Sequence, residues 1–265
     1  MRVATVSYAE IAEKLKHEKG LIAYLPIGCT EQHGPILPLG TDSIIAERIA
    51  CDLCEINEKN GFPGLVYPVI TYSPSASNQD YSGSTSVGED FFRHYVMDVI
   101  TSIMYHPFRA LVLVCMHGPA EPSLIEIAFR LNHTQFDRKD RIRPLIVLGI
   151  SACTDIFYRH LGRMIGKHAD FREFLLLYHV MGANFFSEEK INLLRLLGIC
   201  YRTTPPPPFN ILGVPMRLRS YDGIIGSPWP EKEKEFTFLA ENLWNDILDI
   251  FSSNTINTFS EFNHI

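Results

Sequence analysis

The sequence predicts an α/β fold in three layers, an α/β/α sandwich with helices on both sides of a mostly parallel sheet. Two observations support this prediction. Short apolar segments alternate with helical patterns along most of the chain, and the apolar segments lack the polar alternation of a half-exposed strand. No Gly/Ser linker or change of composition divides the 265 residues. We therefore expect a single domain that spans residues 1–265.

Strands are predicted where short apolar runs are bounded by turn residues, and helices where apolar residues recur every three to four positions. The predicted strands are Leu21–Ile27, Leu65–Ile70, Ala110–Cys115 and Leu145–Ile150. The predicted helices are Ser43–Glu55, Glu89–Tyr105, Glu121–Asn132, Phe185–Leu196 and, roughly, Glu231–Phe251. The four prolines Pro205–Pro208 predict a stiff, extended segment.

Composition narrows the class of partner. A hydrophobic content of 46% and a charged content of 20% are those of an ordinary globular protein. The net charge is −6 and no long basic run is present, so a nucleic acid is not expected as partner. No apolar stretch is long enough for a membrane span, and the N-terminus lacks a signal-peptide pattern. We expect a cytoplasmic protein whose partner is a small-molecule substrate.

Three potential metal ligands, Glu31, His33 and Asp42, follow the first predicted strand. Glu31 and His33 are two positions apart, so on a continued strand both side chains would point to one face and share a divalent metal. The prolines and glycine between them and Asp42 predict a compact turn that returns Asp42 to the strand end. These residues also fit a solvated loop in which Asp42 only caps the next helix.

A second cluster, His117 and Gly118, follows the predicted strand Ala110–Cys115. Ligands of open parallel sheets gather at the carboxyl ends of the strands. His117 is therefore expected at the same edge as the first cluster, where the Gly118 amide would face a developing oxyanion of the substrate. A histidine that only caps the following helix is the alternative, but clusters at two strand ends favour the metal site.

The six cysteines are scattered, and most lie in apolar segments. Cys51 and Cys54 form a C-x-x-C pattern within a helical segment, without a second pair, so a structural role is expected. Cys29 and Cys115 each neighbour a candidate ligand. For both, a role as a small buried apolar residue is favoured.

The block E-Q-H-G-P-I-L-P-L-G-T-D, Glu31 to Asp42, resembles the signature of the creatininase (creatinine amidohydrolase) family. The H-G turn at His117 and the segments Tyr81–Val87 and Gly223–Pro228 are similar to further motifs of that family. The resemblance therefore spans nearly the whole chain.

This resemblance implies a creatininase-like fold, often assembled as a homo-oligomer of six subunits (a hexamer). It also implies one or two divalent ions per chain, of zinc, manganese or iron. By position, Asp42 would bridge two ions and His33 would hold one of them. Glu31 and His117 would complete the ligands of the other. Such a centre supplies a metal-bound hydroxide, which suits hydrolysis of the C–N bond of a cyclic amide, a formamide or a similar small molecule.

Two segments depart from the family. Creatininases carry a carboxylate two residues after the second histidine, and many relatives have H-G-G-N; here Pro119 and Ala120 stand in those places. Glu121 is the candidate that would bring a carboxylate to the catalytic site instead. An enzyme with a single metal ion and an enzyme with a labile second ion are both compatible with this sequence.

The family's later motif, H-A-G-E-x-E-T-S or H-G-G-x-x-E-T-S, supplies an acid/base histidine and a glutamate. The segment from His179 to Phe186 is taken as its match, with Asn184 in place of the glutamate. His179 would then be the catalytic proton donor, and a packed, hydrogen-bonded histidine is the alternative. The other seven of the ten histidines, among them His94, His106 and His160, are assigned no role.

Ser77 and Asn78 stand where relatives carry substrate-proximal residues, often E-H. This neutral pair predicts substrate binding by hydrogen bonds and a substrate unlike creatinine. The sequence as a whole predicts a metal-dependent amidohydrolase that acts on non-peptide C–N bonds. A lyase, dehydratase or cyclase that tailors a specialised metabolite is the first alternative, because parts that amide hydrolysis uses are altered. A non-catalytic binding protein stabilised by a metal is the second.

Overall fold

In the computed structural model the described residues are 1–137, 143–162, 168–203, 216–218, 220–230 and 236–261. Within them, four parallel strands form one sheet in the order β2-β1-β3-β4. The strands are β1 Ile22–Ile27, β2 Gly64–Val66, β3 Ala110–Cys115 and β4 Leu145–Gly149. The last residues of the central strands, Ile27 and Cys115, are paired in register. The segments that follow β1 and β3 therefore leave the sheet side by side.

Eight α-helices are described in the same ranges. They are α1 Tyr8–His17, α2 Thr41–Lys59, α3 Glu89–Met104, α4 Glu121–Asp137, α5 Thr154–Leu161, α6 Phe171–Met181, α7 Glu188–Thr203 and α8 Phe236–Glu261. Among the described helices, none has both the length and the hydropathy needed to cross a membrane. The prolines Pro205–Pro208 lie outside the described residues.

The helices form one layer on each face of the sheet, which confirms the predicted α/β class. Every residue of β1 and β3 is buried, because successive side chains enter opposite layers. Tyr24 and Val112 pack in the layer that contains α2, α5, α6 and α8, whereas Leu25 and Leu113 pack against α3 and α4. Burial on both faces explains why these strands read as continuous apolar runs.

The predicted elements are confirmed with shifted ends, except that residues 231–235 of the last predicted helix lie outside the described residues; three of the described helices, α1, α5 and α6, were not predicted. β2 is shorter than expected because Pro68 cannot donate a ladder hydrogen bond; only Ile70 bridges back to Ile27. Helix α1 has no buried residue and packs on the core only through partly buried side chains such as Ile11 and Leu15. Helix α6 is buried without interruption from Phe171 to Leu177. A helix that is covered on all sides loses the periodicity by which helices are recognised in sequence.

Candidate metal centre

The segment after β1 is held tightly against the start of α2. Gly28 N donates to Ile70 O at 2.9 Å, and Ser73 Oγ donates to Gly28 O at 2.7 Å. A Cβ on Gly28 would lie 2.3 Å from the backbone nitrogen of Ser43. Only glycine therefore allows the helix to begin this close to the strand end. This contact brings the first turn of α2 to the candidate ligands.

The structure brings together the four residues predicted as metal ligands. Asp42 Oδ1 lies 3.0 Å from His33 Nε2, and Asp42 Oδ2 lies 2.9 Å from His117 Nδ1. Glu31 Oε1 lies 3.2 Å from the same His117 nitrogen. All four residues are buried. Asp42 is not the cap of α2, because Gly40 holds that position; its two oxygens face two different imidazoles instead.

Two further residues from the region of α6 complete the site. Glu173 Oε2 lies 3.6 Å from His33 Nε2, and His168 Nδ1 lies 3.6 Å from Glu31 Oε1. The rings of His33 and His168 are 4.6 Å apart between centroids. We call these six residues the ligand cluster: Glu31, His33, Asp42, His117, His168 and Glu173.

The sequence reasoning missed both additions, although a signal was present. His168 is one of the seven histidines to which the spacing assigned no role. It is followed by Ala169, and Glu173 stands five positions after it. These places correspond to the H-A and second E of the family motif H-A-G-E-x-E-T-S. The motif therefore matches at His168 and not at His179.

The donor atoms of the cluster are close enough to hold metal ions. Three groups each offer three ligand atoms within 4.8 Å of one another. They are Cys29, Glu31 and His117; Glu31, His33 and His168; and His33, Asp42 and Glu173. The first and third groups share no residue. Asp42 also contacts His117 of the first group, so it lies between the two.

Each histidine of the cluster donates one ring N–H to a backbone carbonyl. The pairs are His33 Nδ1 with Glu31 O at 3.1 Å, His117 Nε2 with Pro74 O at 2.8 Å and His168 Nε2 with Gln32 O at 2.7 Å. A carbonyl can only accept, so these nitrogens carry the hydrogen. The other nitrogen of each ring faces carboxylate oxygens. Metal-ligating histidines have this arrangement, in which an outer hydrogen bond fixes the tautomer.

The electrostatics of the cluster favour positive charge between its donors. Burial disfavours the charged form of His33, yet Asp42 and Glu173 raise its pKa to about 10. Burial likewise opposes the ionisation of Glu31, but His117 brings the pKa of Glu31 down to about 2. Three carboxylates buried together require cations, either protonated imidazoles or metal ions. The donor set therefore fits divalent metal.

The carboxylate of Glu31 is oriented by the loop after β2. Asn78 Nδ2 donates to Glu31 Oε2 at 2.6 Å, and Ser75 Oγ donates to the same oxygen. Asn78 Oδ1 in turn accepts from Gln32 Nε2 at 3.0 Å. Asn78, predicted to bind substrate, thus contacts a candidate ligand directly. Its neighbour Ser77 is half-buried.

The carboxylate of Glu173 is fixed by its own turn. Ala169 N donates to Glu173 Oε2 at 2.7 Å, and Arg172 Nη2 donates to Oε1 at 2.9 Å. Ala169 has a φ of 53°, an unusual conformation for a residue with a Cβ. Such backbone strain persists where the surroundings enforce it, often at functional sites. The turn holds both His168 and Glu173 against the strand ends.

The structure does not bring Glu121 or His179 to the ligand cluster. Glu121 Oε1 accepts from Ser151 N at 2.9 Å, and Ser151 Oγ donates to Oε2, so this carboxylate joins α4 to the end of β4. His179 lies on α6, where its ring stacks on Trp244 at 4.7 Å between centroids. This stacking agrees with the alternative prediction for His179, a packed histidine instead of a catalytic proton donor. Gly118 is exposed directly after His117.

Comparison with known proteins identifies the family of this chain. The family profile for creatininase, described as creatinine amidohydrolase, matches residues 4–182. The mycofactocin precursor peptide peptidase of Mycobacterium tuberculosis is 33% identical over 99 residues, which cover 36% of this chain and 39% of that protein. The creatinine amidohydrolase of Pseudomonas putida is 28% identical over 114 residues, 41% of this chain and 43% of that protein. The chain thus spans about two fifths of the length of these curated relatives.

A solved structure shares the fold over almost the whole chain. A mutant creatininase of the Zn-Zn type superposes with a TM-score of 0.72 at 14% identity, covering 97% of this chain and 98% of that one. All six residues of the ligand cluster fall within the range matched by the family profile. The chain belongs to the creatininase family.

Proposed function

We propose that this chain is a metal-dependent hydrolase that cleaves an amide C–N bond, with Glu31, His33, Asp42, His117 and Glu173 as the ligands of its divalent metal. One observation carries the proposal. Three buried histidines each donate one N–H to a backbone carbonyl and turn the other nitrogen towards carboxylates. A divalent cation bound there would supply Lewis-acid activation of water and of the amide carbonyl.

The residues of the chain have separate tasks in this proposal. Asp42 lies between His33 and His117 and would be shared by two ions, whereas Glu173, at the place of the later motif's glutamate, would be a ligand of the ion held by His33. His168 is the candidate proton donor, the role that the sequence assigned to His179. Its Nε2–H is engaged by the Gln32 carbonyl. Nδ1 is therefore the atom that would take up a proton and deliver it to the leaving nitrogen.

Hydrolysis is favoured over the lyase, dehydratase or cyclase alternative. That alternative depended on a missing carboxylate and on an altered acid/base segment. His168 and Glu173 supply the histidine and the glutamate of the acid/base segment from a different part of the chain. The curated relatives are named as a peptide peptidase and as a creatinine amidohydrolase. We therefore extend the proposed substrates from cyclic amides and formamides to short peptides. Zinc, manganese or iron as the metal, and a homo-hexamer as the assembly, remain predictions.

The test combines metal content with product mass. Protein purified without chelator is analysed for bound metal and incubated with creatinine, N-formyl compounds and short peptides. Product masses that sum to the substrate plus one water, and that require the metal, support the proposal. Less than one ion per chain after soaking in zinc, manganese or iron contradicts it. A product formed without added water points to the lyase or cyclase alternative.

A further inference from the structure

Cys29 lies within the candidate metal centre but has no task in the proposed function. Its side chain is fully buried. Its sulfur lies within 4.8 Å of ligand atoms of Glu31 and His117. We propose that Cys29 is a ligand of the ion held by Glu31 and His117, and that its sulfur makes this position prefer zinc to manganese. The inference rests on the proposed function, because it concerns the same metal centre.

Hydrogen bonds to two consecutive backbone carbonyls hold Cys29 in place. The carbonyl before it, Gly28 O, accepts from Ser73 Oγ at 2.7 Å, and its own carbonyl accepts from Ser43 Oγ at 3.2 Å. These bonds join the strand end to α2 and to the loop after β2. The position of the sulfur beside Glu31 and His117 is therefore built into the fold. Preorganised placement of this kind is what a metal ligand requires.

Apart from the candidate metal position, the thiol of Cys29 has few polar contacts. Its sulfur lies 3.9 Å from Ser73 O, a long contact even for sulfur, and it also contacts the imidazole of His117. Cys115 provides a comparison, because it is equally buried and lies only two residues before His117 in the sequence. Its sulfur donates to His117 O at 3.2 Å. Cys115 is thus engaged with the backbone, whereas Cys29 faces the donors of the centre.

A sulfur ligand would make the two metal positions chemically different. The position formed by His33, Asp42 and Glu173 offers only nitrogen and oxygen donors. The position formed by Glu31 and His117 would add a thiolate, which favours soft metals such as zinc over hard ones such as manganese. On binding, the thiol proton leaves to solvent as the metal takes its place. The Cys29 position should therefore fill first with zinc, and the other should accept zinc or manganese.

Cobalt(II) substitution tests this directly in the full-length protein. Thiolate bound to cobalt gives a near-ultraviolet charge-transfer band that oxygen and nitrogen ligands do not give. We expect the band in the wild type and in Cys115→Ser, and its loss in Cys29→Ser, which still binds cobalt through the remaining ligands. Zinc affinity of Cys29→Ser, measured by competition with a chromophoric chelator, should fall by at least about tenfold. Manganese affinity should change much less.

The outcomes separate this inference from the proposed function. Stoichiometric cobalt without a charge-transfer band in the wild type, or a band that survives in Cys29→Ser, overturns the inference and leaves the proposed function standing. A protein that binds no divalent metal overturns both. If Cys29→Ser does not fold, zinc X-ray absorption on the wild type decides. One sulfur among the zinc neighbours supports the inference, and neighbours limited to oxygen and nitrogen overturn it.

Discussion

His33 Nε2 lies 3.6 Å from Glu173 Oε2, although one residue follows the first strand and the other lies in the first turn of α6. The other oxygen of Glu173 accepts from Arg172 Nη2 at 2.9 Å, which fixes the carboxylate beside the imidazole. Asp42 Oδ1 contacts the same His33 nitrogen at 3.0 Å. An ion held by His33 would therefore find two carboxylates within reach. Glu173, at the place of the later motif's glutamate, is thus the second carboxylate beside His33.

Replacing Glu173 by glutamine should remove one metal position. Glutamine keeps the size of the side chain but loses the charge, and an amide is a poor ligand in place of a carboxylate. We expect Glu173→Gln to bind the ion at His33 at least about tenfold more weakly, and therefore to retain fewer ions per chain. Calorimetric titration of the metal-depleted protein with zinc measures the change.

Glu121→Gln is the matched control for Glu173→Gln. It removes the charge of a carboxylate that is equally buried but is bonded to Ser151 N and Oγ. Its metal stoichiometry should equal that of the wild type, while its stability falls by about 1–3 kcal/mol through the weakened hydrogen bonds. If Glu121→Gln loses metal and Glu173→Gln retains it, Glu121 and not Glu173 brings the carboxylate to the metal site.

His168 and His179 give a paired test of the proton donor. His168→Asn should lower kcat on a hydrolysed amide by about 10²- to 10⁴-fold, the usual contribution of an acid/base group, with the metal content retained. His179→Asn should leave kcat within a factor of a few, because its ring stacks on Trp244 outside the cluster. Steady-state kinetics with metal analysis on each variant measure this. A large kcat loss in His179→Asn alone would return the role to that residue.

The sequence is sufficient to predict the sheet and four of the six residues of the ligand cluster. Glu31, His33, Asp42 and His117 could be predicted because strand ends in a parallel sheet lie side by side, so residues after two such ends must meet. Glu173 and His168 could not be placed in this way. They sit at the start of α6, whose uninterrupted burial from Phe171 to Leu177 hides its helical pattern. Because the sequence pattern does not reveal this helix, it also does not show that the motif begins at His168, and the prediction falls on His179 instead.

Metal removal should lower the thermal stability of the wild type. The folded chain gathers Glu31, Asp42 and Glu173 with their imidazole partners, and the unfolded chain does not, so metal binds mainly to the folded state. At free metal about 100-fold above Kd, the gain is about 2.7 kcal/mol. We expect Tm to rise with zinc concentration in the wild type and in Asp80→Asn, an exposed control. Asp42→Asn should show little response. A wild-type Tm that is the same with chelator and with zinc would count against the metal centre.

Gly28→Ala tests how closely the strand end and α2 must approach to form the site. The added Cβ would meet the Ser43 backbone nitrogen at 2.3 Å and its Cα at 2.4 Å. Backbone atoms in the first turn of a buried helix cannot move aside cheaply, so we expect a loss of about 3 kcal/mol or more in unfolding free energy. Gly118→Ala is the control, because its Cβ would meet no atom within 4 Å; its stability should change by less than about 0.5 kcal/mol. Urea unfolding followed by circular dichroism measures both. If Gly28→Ala loses under about 1 kcal/mol, helix α2 can shift, and the position of Asp42 between two imidazoles does not depend on the glycine.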